Sequence, residues 1–343
     1  MKKIVLSAAG IFLFVHGAFL NAADPSNGYH LISKIPIAGD GGWDCLSVDS
    51  VARRLYVSHG DQVEVVDIDS AVVVGKIPDL SGVHAIAIAP ELNRGFISNG
   101  KSSTVTMFDL KTLAKLGEIQ AGKNPDAILY DPATRYVFAF NGKSADATVI
   151  DAVKGAAIST IELGGKPEFA VADEKGHVYV NLEDKNSVLK INSKKLNIEK
   201  SWALAPGEKP SGLAIDKKNQ KLFCGCGNHL MVVVNIENGR VIGSLPIGDR
   251  VDATVFDPVR GLIFNSNGDG TLTVIRQESG NKYSVLENLK TQTGARTMAL
   301  DPKTHEIFLS VADLGPRPEP TKENPRPRPD IIPGTFNVLV FGK

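Results

Sequence analysis

An apolar run that ends in aspartate, usually at the entry to a turn, returns along this chain at a nearly constant interval. The aspartates are Asp49, Asp131, Asp173, Asp216, Asp257 and Asp301, and Ala89 before Pro90 takes the remaining place. Successive anchors lie 40 to 44 residues apart, which makes seven units of about 42 residues. A period of this length belongs to solenoids, propellers and related arrays, whose single units cannot bury an apolar face unaided. The length of 343 residues, which by itself reads as about two domains, therefore counts repeats.

A second column keeps the register. Seven residues after each anchor stands an aromatic: Tyr56, Phe96, Phe138, Phe223, Phe264 and Phe308, with Tyr179 one place early in the fourth unit. Only 6% of the residues are aromatic, so composition does not generate this column, and its expected role is packing between neighbouring repeats. Each unit reads as four short β-runs bounded by Gly, Asn, Asp and Pro. In the second unit these are Val83–Ala89, Gly95–Ser98, Thr104–Leu110 and Leu116–Gln120. Four strands per unit of this length is the signature of a propeller blade.

The seventh unit offers only three strands, near 296–301, 306–310 and 336–341, before the chain ends. An orphan strand, His30–Ile37, precedes the first unit. The predicted fold is therefore an all-β, seven-bladed β-propeller with four antiparallel strands per blade, its ring closed by the N-terminal strand joining the last blade. Closure leaves no open sheet edge, and a monomer is expected.

At the N-terminus, Lys2 and Lys3 precede a largely apolar stretch, Ile4–Leu20, that ends in Ala22 and Ala23. This is the layout of a secretory signal peptide. Residues 1–23 are read as that signal, and 24–343 as one propeller domain, exported to the periplasm or secreted. No later stretch is apolar for long enough to span a bilayer. Lys and Arg balance Asp and Glu at 38 each, so binding of nucleic acid through bulk positive charge is not expected. The three cysteines, Cys45, Cys224 and Cys226, leave at least one thiol unpaired, and no dependence on a disulfide is expected.

The second strands carry a family likeness. Phe96-Ile97-Ser98-Asn99, Tyr56-Val57-Ser58-His59 and Phe264-Asn265-Ser266-Asn267 resemble the Tyr-Val-Thr-Asn motif, and Pro125-Asp126-Ala127 adds to the likeness. The chain resembles the YVTN-repeat β-propeller family, in its exported YncE-like branch, over nearly all of its length after the signal. That resemblance implies a propeller related to the WD40/YVTN-repeat and quinoprotein amine dehydrogenase β-chain-like folds. The fifth unit departs from the motif with Phe223-Cys224-Gly225-Cys226.

Five residues before each anchor lies a column that is polar in every unit: Asp44, His84, Asp126, Glu168, Ser211, Asp252 and Arg296. In a propeller the first strand of each blade lines the central channel, so these side chains should ring one mouth. Three readings suit such a ring. A solvated channel mouth is polar in any case. Carboxylate oxygens also suit a divalent cation, and His84 with Asp126, Glu168 and Asp252 makes a candidate metal set. Crowded carboxylates can also supply an acid or a base. A second set, His59, Asn99, Asn141 and Asn267, falls in the turns after the second strands and is assigned to the same mouth.

Two further segments stand out. Cys224-Gly-Cys226-Gly-Asn-His229 lacks the Cys-x-x-Cys-His spacing of c-type haem attachment, leaving a thiolate–imidazole metal site or plain strand-end thiols. A Pro-rich insert at 312–335 carries Arg317, Arg326 and Arg328, interrupts the last blade between its second and third strands, and suggests a lid, a docking arm or a draped loop. No Gly-x-Ser-x-Gly elbow, His-Glu-x-x-His or phosphate loop is present. The expected function is an exported binding module that presents a site for a small molecule, a metal or a protein. The alternative is an enzyme of the lactonase or metal- or quinone-assisted oxidoreductase kind, using the same mouth.

Overall fold

The computed structural model describes residues 28–278, 281–322, 327 and 329–343. The signal reading on residues 1–23 and the insert residues Arg326 and Arg328 lie outside these. Among the described residues the strands form seven four-stranded antiparallel sheets. The second blade is Val83–Ala89, Arg94–Asn99, Thr104–Asp109 and Lys115–Gln120, within a residue of the predicted runs. The last blade is Met298–Leu300, Ile307–Val311 and Asn337–Gly342, with His30–Pro36 as its outer strand. That strand pairs antiparallel with Asn337–Gly342 from His30 opposite Gly342 to Pro36 opposite Asn337, so the ring closes as the repeat arithmetic requires.

The anchor aspartates act at the far end of the inner strands. Each caps the turn into the second strand by accepting main-chain N–H groups, as in Val51 N and Ala52 N to Asp49 Oδ1 at 3.0 and 2.9 Å. Asp131, Asp173, Asp216, Asp257 and Asp301 accept main-chain N–H groups in the same way. A short carboxylate does this better than any apolar side chain, which is why the apolar run ends there.

The aromatic column is fully buried in all seven blades. It belongs to a core divided into layers between adjacent blades. Tyr56 and Val65 of the first blade, for example, pack with Ile86, Ile97 and Phe108 of the second. The layer between the last blade and the first joins Ile35, Phe308 and Val338 to Leu55 and Val57. Burial of such aromatic and branched side chains, each worth roughly 1.5–3 kcal/mol, is what holds blade to blade. No helix among the described residues is long and apolar enough to cross a membrane.

Candidate functional site

The seven column residues meet. Asp44, His84, Asp126, Glu168, Ser211, Asp252 and Arg296, one from each blade, all line one cavity of about 490 Å³ at the mouth of the channel. Local backbone geometry aims them. In five blades the inner strand shifts register against its neighbour at its first turn, between Val83 and Ile86, Pro125 and Ile128, Pro167 and Ala170, Pro210 and Leu213, and Val251 and Ala253. His84, Asp126, Glu168, Ser211 and Asp252 each fall inside that bulge. A bulge leaves a residue out of the ladder and redirects its side chain. Asp44 and Arg296 lie just ahead of strands that begin at Leu46 and Met298, outside the ladder altogether.

The motif on the second strand supplies the support. Ser98 Oγ donates to the carbonyl of Asp126 at 2.8 Å, and Asn181 Nδ2 to that of Ser211 at 3.1 Å. Ser266 bonds the Arg296 carbonyl, and Ser310 Oγ that of Asp44 at 3.3 Å. Each of these side chains holds the main chain of the column residue in the next blade. The fifth blade has Gly225 at this place because Thr254 of the next blade fills the space: a Cβ on Gly225 would lie 2.6 Å from Thr254 Oγ1. Gly100, just beyond the motif, makes room for an imidazole, since a Cβ there would lie 2.4 Å from His84 Nε2.

Within the ring the charges sort into three groups. His84 Nδ1 lies 2.7 Å from Asp44 Oδ2 and 3.2 Å from Asp126 Oδ1. Arg296 pairs with Asp252 and lies 3.8 Å from Asp44, and Ser211 Oγ donates to Asp252 Oδ1 at 3.0 Å. Lys166, which the column did not include, reaches Glu168 at 2.7 Å and also pairs with Glu183. Burial pulls the His84 imidazole down, but the hydrogen bond to Asp44 and the negative charges around it prevail and leave its pKa raised. Burial raises the Asp126 and Asp252 carboxyls despite the cations beside them. It pushes Glu168 up to about 7 against the pull of Lys166. Cys45 lines the same cavity as a free thiol, and burial and then Asp44 push its pKa well up.

The candidate metal set changes accordingly. Glu168 and Asp252 are engaged by Lys166 and Arg296, whereas Asp44 joins His84 and Asp126, with one ligand atom of each within 4.8 Å of the others. The second set of residues does not enter the mouth. His59 is buried and packs on Phe336 with ring centroids 4.5 Å apart. Asn99, Asn141 and Asn267 are buried at the ends of second strands and bond the strand that follows, as in Asn99 Nδ2 to Thr106 Oγ1 at 2.8 Å. Cys224 and Cys226 are buried strand thiols, while the side chain of His229 is 59% exposed, and they form no metal-ligating group among the described residues. Lys166, Lys209 and Arg250 line the mouth from outside the column. Each stands immediately before the first residue of an inner strand and seven residues ahead of its anchor, a place where the other four units carry Gly42, Gly82, Asn124 and Gly294, so this column is basic in three blades only.

The insert reaches this face. Leu314 bridges to Ile331, and both line a second cavity of about 630 Å³ that shares Arg250 and Arg296 with the mouth.

No family model and no curated protein matches the sequence. The structure is similar to the solved structure of U3-55K, with a TM-score of 0.73 at 9% identity over 91% of this chain and 98% of that one. At that identity the likeness defines the fold class, a β-propeller, and nothing finer.

Proposed function

We propose that this protein is an exported binding propeller of the YVTN-repeat, YncE-like kind whose channel mouth holds a divalent transition-metal cation between Asp44, His84 and Asp126. The observation that carries the reading is the convergence of these three side chains, one from each of three successive blades, within 4.8 Å. Two carboxylates and an imidazole offer oxygen and nitrogen ligands that together balance a divalent charge, a donor set suited to zinc and its neighbours. Their supports are in place. Asp44 N donates to Ser58 Oγ at 2.7 Å, and Thr297 Oγ1 donates to the Asp44 carbonyl at 2.6 Å, so the ligand arm is fixed from both sides. Such outer bonds orient ligands and raise affinity. Export is supported by Lys2, Lys3, the apolar stretch to Leu20 and the small residues Ala22 and Ala23. The YVTN kinship is supported by the motif serines, each of which has a defined bonding role in this fold.

Equilibrium dialysis of the chelator-stripped protein against Zn²⁺ tests the cation. The expected result is one equivalent bound, with affinity reduced at least tenfold in His84→Ala and Asp44→Asn and unchanged in Asn99→Ala. Absence of stoichiometric uptake, or uptake indifferent to His84→Ala, overturns the reading.

A further inference from the structure

The second cavity is chemically unlike the mouth it adjoins. Arg250, Arg296 and Arg317 line it, and among the described residues no carboxylate does. Arg296 spends its charge on Asp252 at the mouth; Arg250 is exposed, with Asp249 at 3.7 Å and the Gly268 carbonyl accepting from its Nη2 at 2.9 Å, and Arg317 is exposed on the insert. The remaining walls are largely apolar, with Trp43 on the propeller side and Leu314, Pro329 and Ile331 on the insert. Trp43 is held by stacking on Phe336, centroids 5.7 Å apart, so its place in the wall is set by the core. A volume of about 630 Å³ falls in the range of roughly 300–1,000 Å³ typical of small-molecule sites.

We propose that this cavity binds a small amphipathic monocarboxylate, its chain against Trp43, Leu314 and Ile331 and its carboxylate on Arg317 and Arg250. The reasons are complementary. A guanidinium matches a carboxylate in geometry as well as charge and can hold it with two parallel hydrogen bonds. An apolar body removes the Trp43, Leu314 and Ile331 faces from water, at roughly 25 cal/mol per Å². A dianion or polyanion would match the cations but not the apolar walls, and a neutral lipid would offer the exposed guanidiniums no anion. The Pro-rich insert thus has a role that a merely draped loop lacks: it supplies Leu314, Pro329 and Ile331 of the apolar wall and, in Arg317, one of the exposed cations. The site stands independently of the cation proposed at the mouth.

The test uses intrinsic fluorescence. The chain has two tryptophans, so Trp202→Phe leaves Trp43 as the only emitter. With chelator present throughout, octanoate is titrated into this protein, with 1-octanol and octylamine as parallel probes. The expected result is a saturable change in Trp43 emission with octanoate, at least tenfold weaker for octanol and octylamine. Arg317→Ala and Arg250→Ala should each weaken octanoate binding about tenfold, while far-ultraviolet circular dichroism and the melting temperature stay unchanged. No saturable response to octanoate, or equal affinity for octanol, overturns the proposal. Because the metal is removed, a negative result here leaves the dialysis result standing, and the reverse also holds.

Discussion

One residue shows how much a repeat anchor can do. Asp301 caps its turn like its counterparts, but it is also fully buried and receives Arg53 Nη1 at 2.6 Å. Arg53 belongs to the first blade and also reaches Asp69 at 2.8 Å, so a single guanidinium fastens the first blade to the last. Burial by itself would raise the Asp301 carboxyl, but hydrogen bonds from Arg53, the Lys303 N–H and Thr304 prevail and hold its pKa below the ordinary value. A carboxyl depressed in the folded state stabilises the fold above its unfolded value, about 3.9, and that stability is lost as pH falls through the folded value. Asp301→Asn keeps the shape and removes the charge. Denaturant melts at pH 7 should show a loss of about 3 kcal/mol, the low end for a broken buried pair. The gap should narrow as the pH is brought below about 4; a gap that stays constant down to pH 3 would assign the effect to packing.

At the level of the element, the second strand does two jobs with alternate side chains. One face carries the aromatic that packs between blades and, two residues on, the serine that holds the next blade, as in Phe96 and Ser98. The motif residues near its end fix the neighbouring inner strand and the following strand of its own sheet. Asn99 illustrates the second: its amide bonds both Thr104 and Thr106, at 3.3 and 2.8 Å, inside the protein. An asparagine near a β-turn reads as a turn former in sequence, and a turn former at this height reads as part of the mouth. Burial distinguishes the two, and burial comes from the adjacent blade. Asn99→Ala should therefore lower stability by about 1–3 kcal/mol, the cost of leaving buried polar partners unsatisfied. Urea melts measure the loss.

Across the whole molecule, stability depends on closing the ring. Most outer strands face solvent but bury one side chain near the end: Ile77, Ile119, Ile161 and Leu245 in four of the blades. Ile35, on the N-terminal strand, takes that place in the last blade and is 2% exposed. Leu31, on the same strand, is 44% exposed. Ile35→Ala should cost about 2–5 kcal/mol, as for other buried aliphatic truncations, and Leu31→Ala no more than about 0.5 kcal/mol. Thermal melts of the two variants compare the sites directly. Similar losses at both positions would mean that the strand contributes through its main-chain pairing and not through the layer between the last blade and the first.

The sequence by itself determined the number of blades, the strand order within them, the closure by His30–Pro36 and the seven side chains that ring the mouth. All of these follow from periodicity, and a closed ring of identical steps turns equal spacing along the chain into equal height around an axis. What periodicity lacks is the lateral relation between neighbours, and that was decided only in the tertiary structure. Asp44, not Glu168 or Asp252, joins His84 and Asp126, because three successive blades set these side chains next to one another, while Lys166, outside the column, takes Glu168, and Arg296, between Asp252 and Asp44, pairs more closely with Asp252. His59 and the three asparagines lie at the correct height but are covered by the next strand or blade. The insert has no repeat to read at all; only its folding back over Trp43 sets its arginine beside those of the propeller.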